Sequence, residues 1–205
     1  MSASLTYPLI SLNRLRMSTD GEGVTTLVAG AGCPLSCRYC INKEVLTKPY
    51  TPVTARQLYE RTRIDDLYFQ ATCGGLTFGG GESLLHAPFI RIFRQEGYAR
   101  GWQLNAETSL AVGPALVEMA AEAVDFFIVD IKSMDRQVYR DYTGQDLLPL
   151  VLDNLKRLRR LAGPDRIRVR VPHIPGYPDH SEAAAQALQA MGLTKIETFP
   201  YVLPR

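Results

Sequence analysis

Val24-Thr25-Thr26-Leu27-Val28-Ala29-Gly30-Ala31-Gly32-Cys33-Pro34-Leu35-Ser36-Cys37-Arg38-Tyr39-Cys40 decides how the rest of the chain reads. A short β-branched and apolar run, 24–29, is followed at once by a loop carrying three cysteines. Five more runs of that kind occur at 75–78, 102–107, 124–131, 167–173 and 196–200. Near-continuous apolar character is what a strand shows when both faces are buried in a parallel sheet. The stretches between them carry helix signals. Thr54 and Gln57 form a capping-box pattern, and Pro114 suits the first turn of a helix through Leu116, Met119 and Ala120. Leu148, Val151, Leu152, Leu155, Leu158 and Leu161 recur at helical spacing until Gly163-Pro164, and Ser181 can cap a helix that Gly192 ends. Six βα units in one direction predict an α/β fold, a parallel sheet with helices on its outer face. A closed eight-fold barrel needs about 250 residues, and the chain has 205. The expectation is therefore an open, partial (βα)6 barrel of TIM type. No linker or repeat divides it, so 1–205 reads as one domain, with 1–22 as an N-terminal extension and 33–40 as the cysteine loop.

Hydrophobic residues at 46% and charged residues at 21% are ordinary for a globular enzyme and too apolar for disorder. Lys and Arg number 23 against 21 Asp and Glu, which argues for neither a nucleic-acid nor a membrane partner. No apolar stretch approaches 18 residues, and the first 20 lack the order of a secretory signal. A reducing, cytoplasmic location is the expectation, and it favours thiolates over disulfides.

Loops at the C-terminal ends of parallel strands are where such folds place chemistry. The cysteines, Gly79-Gly80-Gly81-Glu82, Glu107-Thr108, Asp130 and Lys132 all fall there, and Arg170 lies within the fifth run. Cys33, Cys37 and Cys40 are three soft ligands at intervals of four and three. They suit a four-iron, four-sulfur (4Fe–4S) cube with one iron left open for a ligand. The alternative is a structural zinc with Cys73 or a histidine as fourth ligand, although no second cysteine knuckle is present. Cys73 itself reads as a small buried hydrophobe. The glycines at 79–81 let backbone approach a ligand closely or simply make a tight βα turn. Asp130 and Lys132, two positions apart on an apolar strand, point to one side, as ligand binders or as a structural ion pair. Arg170 shares its side with Arg166 and Arg168 in a regular strand. His86 and His180 read as surface or capping residues, His173 as a candidate interior residue, and Trp102 as core.

The C-x3-C-x2-C pattern, with Tyr39 before its last cysteine, resembles the radical S-adenosylmethionine superfamily. Further segments resemble its glycyl-radical-enzyme activating branch. They are Ser18-Thr19-Asp20-Gly21-Glu22-Gly23, the run Gly74 through Leu85, Glu107-Thr108-Ser109, Asp130-Ile131-Lys132 and Arg170 through Tyr177. The chain departs from the branch pattern at Glu22, Ile41, Ser83 and Val202, and it lacks a cysteine-rich ferredoxin-like insert.

The resemblance implies a 4Fe–4S cluster on Cys33, Cys37 and Cys40 whose open iron is chelated by S-adenosylmethionine. It implies one-electron cleavage to methionine and a 5′-deoxyadenosyl radical, which takes a hydrogen atom from the substrate. Tyr39, Gly79, Gly80, Gly81, Glu82, Glu107, Thr108, Asp130, Lys132 and Arg170 are the implied cofactor-binding residues. Within that set the 79–82 segment meets the methionine amino group and Lys132 its carboxylate. Glu107, Thr108 and Asp130 hold a monovalent cation beside it or act on the ligand directly. Asp20 is expected beside a groove that admits the glycine loop of a partner glycyl radical enzyme, and a flavodoxin or ferredoxin is the expected electron donor. Two other functions stay open: a stand-alone radical enzyme acting on a small molecule or peptide, and a non-catalytic zinc or iron–sulfur protein.

Overall fold

The computed structural model describes residues 5–17 and 19–201, so Ser18 and Val202 of the segments above lie outside the described residues. Its elements begin with β1 (Tyr7–Met17), β2 (Val24–Gly30), α1 (Lys43–Leu46), β3 (Thr51–Val53), α2 (Ala55–Thr62) and α3 (Asp66–Thr72). Then come β4 (Gly75–Gly80), α4 (Ala87–Gln95), β5 (Gln103–Thr108), α5 (Pro114–Ala123) and β6 (Phe126–Asp130). The chain continues through α6 (Arg136–Thr143), α7 (Leu148–Ala162), β7 (Ile167–His173), α8 (Ser181–Ala190) and β8 (Lys195–Pro200).

All strands join one open sheet in the order β3-β1-β2-β4-β5-β6-β7-β8. From β2 to β8 every pairing is parallel, which gives the six expected strands in their expected order. β1 and β3 are additions. β1 runs antiparallel to β2, and β3 antiparallel to the start of β1, so half of the N-terminal extension is a sheet strand. Tyr7 fixes this junction by donating its hydroxyl to the Val28 carbonyl at 3.1 Å. Gly30 must be glycine there, because a Cβ would stand 2.3 Å from that hydroxyl. The sheet is mixed α/β, mostly parallel and open.

The two faces of the parallel strands differ. Leu76, Phe78, Leu104, Ala106, Phe127, Val129, Val169 and Val171 join the apolar core with Phe89, Phe93, Val117, Leu155 and Leu158 of the covering helices. Each large side chain buried there contributes roughly 1.5–3 kcal/mol. The opposite face carries Thr77, Asn105, Glu107, Asp130 and Arg170, joined by polar contacts. Period-two alternation sorts the strands into an apolar exterior and a polar interior, which is not the doubly apolar pattern expected.

The helix ends follow their signals. Thr54 and Gln57 make the reciprocal capping box of α2, Pro114 opens α5, and Gly163 ends α7. Ser181 is the first residue of α8, and its amide is capped by the Asp179 side chain at 3.0 Å. Three expectations are corrected. Cys73 is exposed, not buried, because it takes a left-handed backbone conformation (φ 56°) to turn the chain from α3 into β4. His173 points outward beside Asp179, at 3.4 Å. His86 is half-buried and makes no helix cap; it packs edge-on against Tyr7. Trp102 is buried as expected. Among the described residues no helix is long and apolar enough to cross a membrane.

Candidate functional site

The cysteine loop leaves β2 at the C-terminal rim of the sheet and is tied down by distant parts of the chain. The Ser36 amide donates to the Thr143 carbonyl at 2.8 Å and the Arg38 amide to the Tyr142 carbonyl at 2.9 Å, so the end of α6 clamps the loop. His86 Nε2 holds the Ala31 carbonyl at 2.8 Å just ahead of Cys33. The Tyr201 hydroxyl donates to the Tyr39 carbonyl, and the Tyr39 ring lies 6.2 Å from that of Tyr142 and 6.5 Å from that of Tyr201. Cys33 is exposed, while Cys37 and Cys40 are half-buried.

Burial pushes the Cys37 thiol up to about 11 and raises Cys33 as well, with Lys132 opposing both. Cys33 and Cys37 are therefore protonated at neutral pH when free and must release protons to bind metal. Among the described residues no three of His, Cys, Asp or Glu gather around one point as a single ion requires. A cube asks instead for thiolates spread over separate irons, and this donor set fits it. Cys73 lies ahead of β4, at the opposite end of the sheet, and cannot complete a zinc site on this loop.

The glycines that follow β4 are required by the protein's own backbone. Gly80 has φ 87°, and a Cβ on Gly81 would lie 2.1 Å from the Gly32 carbonyl oxygen. With no side chain between them, the Gly81 amide donates to the Gly30 carbonyl at 3.1 Å and the Glu82 amide to that of Gly32 at 2.8 Å. Asn42, two residues past the last cysteine, donates to the Gly80 carbonyl at 2.8 Å. Glu82 is buried and its carboxylate accepts four hydrogen bonds. Oε1 receives Thr108 Oγ1 at 2.6 Å and the Leu84 amide at 3.1 Å; Oε2 receives Ser109 Oγ at 2.6 Å and the Ser109 amide at 2.9 Å. Glu82 and Thr108 thus lock the ends of β4 and β5 together. Ser83 adds a bond from its hydroxyl to the Glu107 carbonyl at 2.7 Å.

Below this lock, four charges share the interior. Arg170 donates to Asp130 at 2.7 Å and to Glu107 at 3.2 Å, and Lys132 donates to Asp130 at 3.0 Å. Burial alone would raise the Asp130 carboxyl, but the Lys132 and Arg170 charges outweigh it and hold Asp130 below its ordinary value. Burial would lower Lys132, and the Asp130 carboxylate beside it holds it above its ordinary value. Glu107 is pushed up to about 7 by burial, against the attraction of Arg170 and with the repulsion of Asp130 and Asp20. Arg170 stands between Glu107 and Asp130, where a monovalent cation was expected, and Thr108 turns away to Glu82. Arg168 pairs with Glu197 at 3.2 Å, and Arg166 wraps the carbonyl of Asp125 at 3.0 Å. Of the three arginines, only Arg170 reaches the acidic pair.

A pH dependence follows from Glu107. Its folded value lies above the ordinary 4.5, so its contribution to stability is complete below about pH 4.5 and is lost as pH rises towards 7. The loss amounts to about 3 kcal/mol. Glu107→Gln is expected to lack that slope. Urea unfolding of the metal-free protein at several pH values checks it, and parallel stability curves for wild type and variant would contradict it.

The Asp20 side chain is not exposed. It is buried, paired with Arg16, and its carbonyl accepts the Thr77 hydroxyl, while Gly21 packs against Asn105. The chain at 20–21 closes the interior from the end opposite the cysteines. Sequence reading also passed over Asn42, Ser83, Ser109 and the α6 carbonyls. Their roles are hydrogen bonds across the fold, which no local pattern announces.

Known proteins resemble this one in sequence and in fold. The Radical SAM superfamily model matches residues 27–188. The pyruvate formate-lyase 2-activating enzyme of Escherichia coli is 27% identical over 216 residues, covering 89% of this chain and 73% of that protein. The 4-hydroxyphenylacetate decarboxylase activating enzyme of Clostridioides difficile is 30% identical over 172 residues, covering 82% of this chain and 52% of that one. The chain thus spans about half the length of some curated relatives it matches. Among solved structures, native anSMEcpe with bound AdoMet superposes with a TM-score of 0.65 at 13% identity, covering 84% of this chain and 50% of that one, a likeness of fold.

Proposed function

We propose, from the premise that the chain belongs to the radical S-adenosylmethionine superfamily, an enzyme class that uses this cofactor with an iron–sulfur cluster, that it activates a partner glycyl radical enzyme. The observation that carries this reading is the convergence on one rim of three loop cysteines with the half-buried Lys132–Asp130–Arg170–Glu107 set. Cys33, Cys37 and Cys40 would hold a 4Fe–4S cluster. Together with bound S-adenosylmethionine it would supply one-electron reductive cleavage of the sulfonium to methionine and a deoxyadenosyl radical, the species that would take a hydrogen atom from a glycine of the partner.

The protein's own residues bind and orient. Lys132 and Arg170 offer positive charge to the methionine carboxylate, and each keeps about a fifth of its side chain exposed. Asp130 holds both in place. Gly79, Gly80 and Gly81 let β4 approach the cysteine loop, and Glu82 with Thr108 fixes the backbone beside the methionine amino group. Tyr39 shields the loop through its contacts with Tyr142 and Tyr201. Arg170 and Lys132 supply the positive charge that a monovalent cation would bring near Glu107, Thr108 and Asp130. Asp20 seals the interior beneath Glu107. The electron donor in this reading is a flavodoxin or ferredoxin, and the reducing cytoplasm is the location that keeps the thiols free.

The test is to incubate the reconstituted, reduced protein with S-adenosylmethionine and candidate partners, then record electron paramagnetic resonance spectra. A glycyl radical doublet on a partner is the expected result. Deoxyadenosine formation with turnover of a small molecule or peptide, and no doublet on any partner, would overturn the activating role.

A further inference from the structure

Tyr139 carries an unexplained polar atom. The residue is 1% exposed and packs in the main core, yet among the described residues its hydroxyl has no hydrogen-bond partner. Buried hydroxyls almost always find one, because leaving water without compensation costs the fold free energy. Tyr139 lies on the buried face of α6 together with Tyr142 and Thr143, the two residues whose carbonyls clamp the cysteine loop. The Thr143 hydroxyl donates to the Tyr139 carbonyl at 2.7 Å, so the clamp and Tyr139 form one rigid turn. Cys37 sits between Ser36 and Arg38, whose amides are held by that same turn of α6, and it packs against the core to which Tyr139 belongs. The Cys37 sulfur is the acceptor that this placement offers once the thiol becomes a metal-bound thiolate. A free thiol accepts weakly, whereas an iron-bound thiolate carries negative charge and accepts well.

We infer that the Tyr139 hydroxyl donates a hydrogen bond to the Cys37 sulfur of the cluster, making Tyr139 a positioning residue that tunes the cluster's reduction. The inference rests on the cysteines holding a 4Fe–4S cluster. A donor to a ligating sulfur stabilises the more negative, reduced state and so raises the potential. The hydroxyl would be an orphan in the metal-free protein and satisfied in the loaded one.

The experiment compares wild type with Tyr139→Phe by redox titration of the reconstituted, iron-counted cluster. The variant is expected to lower the reduction equilibrium about tenfold at fixed donor potential, a shift of about 59 mV to more negative values. Metal-free Tyr139→Phe should melt no lower than wild type, because it loses no protein hydrogen bond; a purely structural hydroxyl would show the reverse pattern. Placing 3-fluorotyrosine at 139 keeps the shape and strengthens the donor, so its potential should rise. That variant also decides the matter if Tyr139→Phe takes up no cluster. A loaded cluster whose potential ignores both changes would overturn the assignment of Tyr139 alone. A wild-type protein that accepts no cluster would overturn the functional reading and this inference with it.

Discussion

Cys37→Ala is expected to leave a folded protein that holds no intact cluster and no longer cleaves S-adenosylmethionine. In the proposed cluster the loop would supply one thiolate to each of three irons, and two thiolates would not fix a cube with one open corner. Even changes to outer-shell partners of a metal site cost about 10–100-fold, so removal of a ligand should lower deoxyadenosine formation by at least ~100-fold. The fold should survive, because the loop's backbone is held by Thr143, Tyr142 and Asn42, and not by the thiol. Cys37 is only half-buried at the edge of the core, so its truncation should cost the metal-free protein about 1 kcal/mol or less. Iron content, product assay and a melt of the metal-free protein check the three parts. Retained iron and cleavage would show that the ligand assignment is wrong.

Arg170→Met should be the most damaging change in the polar interior. It removes the guanidinium that joins Asp130 and Glu107 and leaves Asp130 with Lys132 alone. Breaking a buried ion pair from one side costs about 3–5 kcal/mol, because the remaining charge stays buried. Each partner here keeps about a fifth of its side chain in solvent, which places the expectation at the lower end. For a chain of this size about 3 kcal/mol lowers the melting temperature by roughly 6–12 °C. Adding Glu107→Gln to Arg170→Met should restore part of the loss, since it removes the carboxyl that the first change strands. A melting temperature within about 2 °C of wild type for Arg170→Met would mean that the network is not what holds the interior together.

The architecture was largely legible, and its gaps have physical causes. Runs such as Phe126-Phe127-Ile128-Val129 announced their strands because their outward residues bury under helices. β1 escaped notice because only Tyr7 and Leu9 of its residues are buried, and β3 because three residues including a proline make no pattern. Asn105 and Thr77 gave no warning of a polar interior, since a buried amide bonded to a hydroxyl looks in sequence like any loop residue. In the site, the cysteine spacing was readable because soft ligands that close together have few other uses. Glu82 and Thr108 were expected to face a ligand, yet they face each other, and only the geometry of two strand ends shows it. Tyr139 was invisible for a simpler reason. A tyrosine on the apolar face of a helix reads as core, and its hydroxyl is singled out only by the lack of a partner.

The most direct test is anaerobic reconstitution followed by reduction, with the electron paramagnetic resonance spectrum recorded before and after adding S-adenosylmethionine. The account predicts about four irons and four sulfides per chain. It also predicts a reduced-cluster signal that changes when the cofactor is added, and deoxyadenosine that accumulates. A colourless protein with one zinc per chain, or a cluster signal indifferent to S-adenosylmethionine, would contradict it.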